Sequence, residues 1–141
     1  MKICIVDGRG GGIGSRIVEG LQNLAIEGHA VVGLGLNVVS AAAMARAGAT
    51  QIETREQAIT QQLGSADMII GPLSLLMPGA MLGEVTPLVV QAVLDSHARK
   101  FLLPINRRKV EVIGTEGRTL DTLILHAIQR VHQAATSPAM P

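Results

Sequence analysis

Aromatic side chains are nearly missing from this chain: it has no Tyr, no Trp and one Phe, Phe101. Surfaces that hold single-stranded nucleic acid stack bases on aromatics along a basic track, and the chain offers neither. Its 12 Lys and Arg against 11 Asp and Glu leave a formal net charge of +1, and the longest basic run is Arg107-Arg108-Lys109. Nucleic acid is therefore not expected as a partner. Cysteine is as scarce. One residue, Cys4, excludes an internal disulfide and Cys-based zinc sites, and its mid-strand position reads as an inert core thiol. Long apolar runs are missing too, and Met1 leads straight into a strand pattern without a charged leader region. A soluble, cytoplasmic protein with no membrane contact is the expectation. The four His residues, His29, His97, His126 and His132, share no metal-ligand spacing, so no metal site is expected. No GxSxG elbow occurs, and Ser15 belongs to a first helical turn.

What the chain has is glycine and a regular alternation of apolar patterns. At 141 residues it is long enough to bury one core, and a single domain over 1–133 is expected, with residues 134–141 as a disordered tail. Lys2 to Val6 is a near-continuous apolar run, the mark of a parallel strand buried on both faces. Ile13, Ile17, Leu21 and Leu24 then recur at helical spacing. Further strands are expected at His29–Leu36, Ala49–Glu53, Ala66–Gly71 and Lys100–Ile105. Val110–Ile113 is expected to pair with the last of these or to extend the sheet edge. Helices are expected over Val39–Ala47, from a Thr54/Gln57 capping box to Gly64, from the N-cap Thr86 to about Ala98, and along Leu120, Ile124, Ala127 and Val131. This rhythm is that of a three-layer, Rossmann-like α/β fold: a mostly parallel sheet of five or six strands with helices on both faces. Strand order 3-2-1-4-5 fits best, with 2-1-3-4-5 second. In either, ligands bind at the carboxyl ends of the strands, where the order reverses.

The first strand ends in DGRGGGIG, residues 7–14, with five glycines before a helix. Glycine lets the N–H groups of a helix N-terminus approach an anion, so the loop points to a phosphate-bearing ligand; the bland alternative is a turn that packs helix on strand. The dinucleotide spacing GxGxxG fails, ending on Ile13 from Gly8 and on Ser15 from Gly10. The spacing GxxxGxG fits Gly8, Gly12 and Gly14 and resembles the cofactor loop of short-chain dehydrogenases/reductases. That resemblance implies Gly8 at the tight turn, Gly12 against a pyrophosphate, Gly14 at the helix–strand contact, and an NAD(P)-type cofactor. The rest of the chain departs from that family, whose proton-transferring Tyr is absent. No acid follows the second strand to hold a ribose; Asn37 stands there, as ribose contact or as N-cap.

A second resemblance covers most of the chain. VDGRGGGIG, GPLSLLMPGAMLGEVTP, LLPIN and VEVIG are similar to a small bacterial family of Rossmann-like proteins of unknown function. It implies the fold and no catalytic residues.

The candidate binding residues are those just after strands: Asp7, Gly8, Arg9, Gly10, Gly11, Gly12, Ile13, Gly14, Asn37, Gly71, Pro72, Glu84 and Asn106. Asp7 either caps the loop or meets ligand, and Arg9 either offsets its charge at a phosphate or is solvated. Glu84 either precedes a helix favourably or, with Asp7 and Asn106, faces the crevice for acid–base or cation work. The turn Arg107–Lys109 either meets a ligand phosphate or, preferably, is a solvated hairpin tip. The apolar stretch 73–82 needs burial, as a lid or, preferably, against a second copy in a homodimer. The resulting expectation is a protein that binds a nucleotide or phosphorylated metabolite with no evident catalytic set. The alternative is a small NAD(P)- or nucleotide-dependent enzyme completed across a homodimer interface.

Overall fold

A computed structural model describes residues 1–105 and 109–137. Five parallel strands run in the order β3-β2-β1-β4-β5, the first-choice order. They are β1 (Lys2–Asp7), β2 (Ala30–Gly35), β3 (Gln51–Glu53), β4 (Met68–Pro72) and β5 (Arg99–Leu103). The helices are α1 (Gly12–Asn23), α2 (Val38–Arg46), α3 (Glu56–Gly64), α4 (Pro87–Asp95) and α5 (Leu120–Thr136).

Two apolar layers hold the sheet. Successive side chains of a strand point to opposite faces. Ile3 and Ile5 accordingly pack with Ile17 and Leu21 of α1, Met44 of α2 and Ile124 and Val131 of α5. Cys4 and Val6 pack with Ile59 and Leu63 of α3 and Val90 and Val93 of α4. Burying each large side chain contributes roughly 1.5–3 kcal/mol. Cys4 is fully buried, and desolvation pushes its thiol up to about 12, which keeps it a neutral core group.

Three expectations shift. Val110–Ile113 adds no strand: Val110 makes an isolated bridge, Glu111 and Val112 are irregular, and a turn begins at Ile113. The α3 helix begins at Glu56 with Arg55 as its N-cap and no side-chain cap, so the Thr54/Gln57 box is not formed. Glu56 instead accepts the hydroxyl of Thr86, which caps α4 as expected, and so ties the two helix starts together. The last helix runs to Thr136 and buries Ala134, so packing continues past residue 133, while 138–141 lie outside the described residues.

The apolar stretch after β4 finds its burial inside the chain. A 3₁₀ turn at Leu73–Leu76 folds it back, and Leu75, Met81 and Val85 join the α3/α4 core. Met77 and Leu82 stay exposed. The burial argument for a dimer through 73–82 therefore falls away for most of the segment. No helix among the described residues is long and apolar enough to cross a membrane.

Candidate functional site

The strand order reverses between β1 and β4, and a cleft opens there. It has a volume of about 420 Å³, within the usual span for small-molecule sites. Its walls are the loop Asp7–Ile13, Arg16 one turn into α1, Pro72 at the end of β4, Met81, Ile105 after β5, and Leu120 at the start of α5. One wall is glycine backbone, Asp7 and two arginines; the rest is aliphatic or thioether.

Asp7 organises the loop. It is 4% exposed, and its Oδ1 accepts the Gly8 N–H at 2.8 Å while Oδ2 accepts the Gly14 N–H at 2.6 Å. Burial pushes the carboxyl above the ordinary Asp range; the backbone N–H groups of Gly14, Gly8 and Ile13 oppose that, and the nearby Glu84 carboxylate adds to it. The protein's own carboxylate thus takes the inner donors of the α1 N-terminus. A turn precedes the helix: Gly11 N–H donates to the Gly8 carbonyl, with Arg9 at φ 53° between them.

The five loop glycines divide by what surrounds them. Gly11 has φ 72°, and a Cβ there would lie 2.7 Å from Ser40 Cα. At Gly8 a Cβ would meet Met81 Sδ at 2.6 Å and Glu84 Oε1 at 2.7 Å, and at Gly14 it would meet Asp7 Cβ at 2.8 Å. Gly11 and Gly14 are required by the fold, and Gly8 leaves room for the ends of the Met81 and Glu84 side chains. Gly10 and Gly12 have no such role: neither has a positive φ, and a Cβ on either would meet nothing within 4 Å. Both face the cleft. Their N–H groups have no hydrogen-bond partner among the described residues, and neither has the Arg9 guanidinium. The second cation, Arg16, pairs with exposed Asp121 at 2.7 Å.

Glu84 grips the loop from behind. Its Oε1 accepts the Arg9 N–H at 2.8 Å and its Oε2 accepts from Asn37 Nδ2 at 2.6 Å. Asn37 is also the N-cap of α2, in a reciprocal box with Ser40. What carries Glu84 there is a left-handed turn, with Met81 and Leu82 both at φ 55° and Gly83 at φ 88°. Such backbone costs an L-residue roughly 1–2 kcal/mol, so Met81 and Leu82 hold strain that the contacts to Gly8 and Asn37 offset.

The candidate residues therefore separate. Asp7 through Ile13 and Pro72 line the cleft, whereas Gly14 sits at the helix–strand contact. Gly71 packs beneath, where a Cβ would lie 2.5 Å from Leu75 Cδ1 and 2.7 Å from the Val6 carbonyl. Asn37 and Glu84 meet each other outside the cleft, and Asn106, with Arg107 and Arg108, lies outside the described residues. Asp7 and Glu84 do approach one loop, but their oxygens hold N–H groups. Among the described residues no three His, Cys, Asp or Glu gather as a metal site. Sequence reasoning missed Arg16, Ile105 and Leu120, and it brought Met81 to the crevice only through the lid reading of 73–82. Arg16 carried a signal, one helical turn beyond Gly12; Met81 reaches the loop through a left-handed turn that no residue pattern announced.

No curated protein matches the sequence. Among solved structures the chain is similar to a dodecameric FMN-dependent UbiX-like decarboxylase from Escherichia coli O157:H7. The two share 13% identity with a TM-score of 0.56, over 100% of this chain and 98% of the other. That likeness shows the fold, a Rossmann-like α/β sheet, and no link to short-chain dehydrogenases emerges. A family model matches residues 2–136, and the chain belongs to that family, the domain of unknown function DUF3842.

Proposed function

We propose that the protein binds a nucleotide or another phosphorylated small molecule at its glycine loop. The phosphate rests against Gly10 and Gly12 beside Arg9, and the organic part lies along Pro72, Met81, Ile105 and Leu120. The observation that carries this is the open space at Gly10 and Gly12. Neither backbone angle nor packing within the chain calls for glycine there, whereas a phosphate approaching the N–H groups does. Asp7 keeps the anion off the inner turn of α1, which leaves the Gly10–Gly12 face as its seat.

Binding without turnover is the reading the residues favour. Among the described residues Asp7 is the one carboxyl group on the cleft wall, and both its oxygens hold backbone N–H groups. The structurally similar decarboxylase is FMN-dependent and dodecameric, so FMN is the first ligand to try and a homo-oligomer is the assembly to test for. Exposed Met77 and Leu82 are the apolar positions of the 73–82 stretch that remain for such a contact.

The test is fluorescence and thermal-shift titration with FMN, NADP and AMP, on wild type and Gly12→Val. A ligand at a hundred times its Kd adds about 2.7 kcal/mol to stability. The expected result is a shift with at least one of these, lost in a Gly12→Val protein of unchanged melting. Equal shifts in both proteins contradict the site. Steady consumption of the bound ligand overturns binding without turnover.

A further inference from the structure

The cleft is one-sided. A dinucleotide lies across the whole crevice of a Rossmann-like sheet, with pyrophosphate at the α1 N-terminus and one ribose held just after β2. Here the cleft wall takes residues from the loop after β1, from β4, from the segment after β5 and from α5, and none from Leu36 or Asn37 after β2. On the missing side Leu36 lines a separate hollow of about 240 Å³ with Thr54, Glu56, Gly83 and Glu84, and Glu84 stands between it and the cleft. The chain leaves β4, turns left-handed at Met81–Gly83, and sets Glu84 across the end of β1 so that one carboxylate joins Arg9 on the β1 loop to Asn37 after β2. The Asn37 amide that would meet a ribose hydroxyl is held by Glu84 at 2.6 Å, and Met81 Sδ fills the space above Gly8.

We infer that Glu84 and Met81 form a latch over the β2 side, restricting the site to mononucleotide-type ligands: one phosphate group at Gly10 and Gly12, with a compact ring on the β4–β5 side. Glu84 is a specificity determinant and touches no ligand. This inference rests on the binding proposed above and narrows it. The wall the cleft offers the ring is aliphatic and thioether, from Pro72, Met81, Ile105 and Leu120.

Two pairs of probes decide it, each a mononucleotide and the same unit extended by AMP: FMN with FAD, and nicotinamide mononucleotide with NAD. Calorimetry on the wild type is expected to show at least one mononucleotide binding about tenfold or more tighter than its extended partner. In Glu84→Ala that ratio should fall by about threefold or more, because the β2 side opens. Met81→Ala provides the same reading should Glu84→Ala not fold. Extended partners binding as tightly as the mononucleotides in the wild type overturn the latch and leave the binding proposal standing. A ratio unmoved in folded Glu84→Ala and Met81→Ala overturns the role of these residues. Binding of none of the four overturns this inference, while the proposed function stands or falls on the FMN, NADP and AMP titration above.

Discussion

The two flanks of the crevice are built from different material, and only one of them belongs to the cleft. Over β2, short polar groups meet across the chain: Glu84 with Asn37, and Asn37 with Ser40. Over β4 and β5, the boundary is apolar, and a cleft of about 420 Å³ remains between the glycine loop, Ile105 and Leu120. A carboxylate that reaches two N–H donors walls the β2 flank off from the cleft, and its charge-assisted hydrogen bonds offset the strained turn that delivers it. Aliphatic ends cannot bridge in that way, so the other flank stays open. The same contrast runs through the loop: Gly8, Gly11 and Gly14 serve the chain's own packing, and Gly10 and Gly12 face open space.

The contrast breaks most sharply at Gly11. Val there must adopt φ 72° and push against Ser40 Cα at 2.7 Å, so a loss of about 2–5 kcal/mol in urea unfolding is expected. Gly12→Val, one residue on, should change stability by no more than about 0.5 kcal/mol. Equal losses at both positions would erase the distinction between packing and ligand glycines.

Opening the closed flank comes next. Glu84→Ala removes two hydrogen bonds accepted by a charged group, and a cost of about 1–3 kcal/mol is expected by the same unfolding measurement. Asn37→Ala loses one of these bonds together with the α2 cap, about 1–2 kcal/mol. The double variant should cost less than the sum, since the two residues share a bond. Strict additivity would show that they do not form one latch.

The smallest effect is the pH dependence from Asp7. Its folded carboxyl titrates above the unfolded value of about 3.9, so the folded state holds the proton more tightly. The associated stability is full below the unfolded value and is lost as pH rises through the folded value. Melting curves across the acid range should show this loss in the wild type and not in Asp7→Asn. A wild type and variant that run parallel with pH would show that burial does not hold the proton on Asp7.

Strand order and both core layers were legible because burial on two faces leaves continuous apolar runs such as Lys2–Val6, and because the glycines mark where strand passes to helix. Glu84 was legible as a candidate but not as a latch. Its reach depends on three consecutive left-handed residues, two of them Met81 and Leu82, whose side chains give no turn signal. Residues 73–82 read as a surface for a second copy because their apolar character is clear in sequence, while their folding back onto α3 and α4 depends on the 3₁₀ turn. The Thr54/Gln57 box failed for a related reason: the pairing of Glu56 with Thr86 sets the start of α3 from outside the helix.

The most direct test is an amide-resolved NMR titration of the wild type with FMN. The account predicts that the Gly10 and Gly12 amides shift together with Arg9 and saturate at one affinity, while Leu36 and Asn37 stay in place. Shifts centred on Leu36 and Asn37, with Gly10 and Gly12 unmoved, would contradict it.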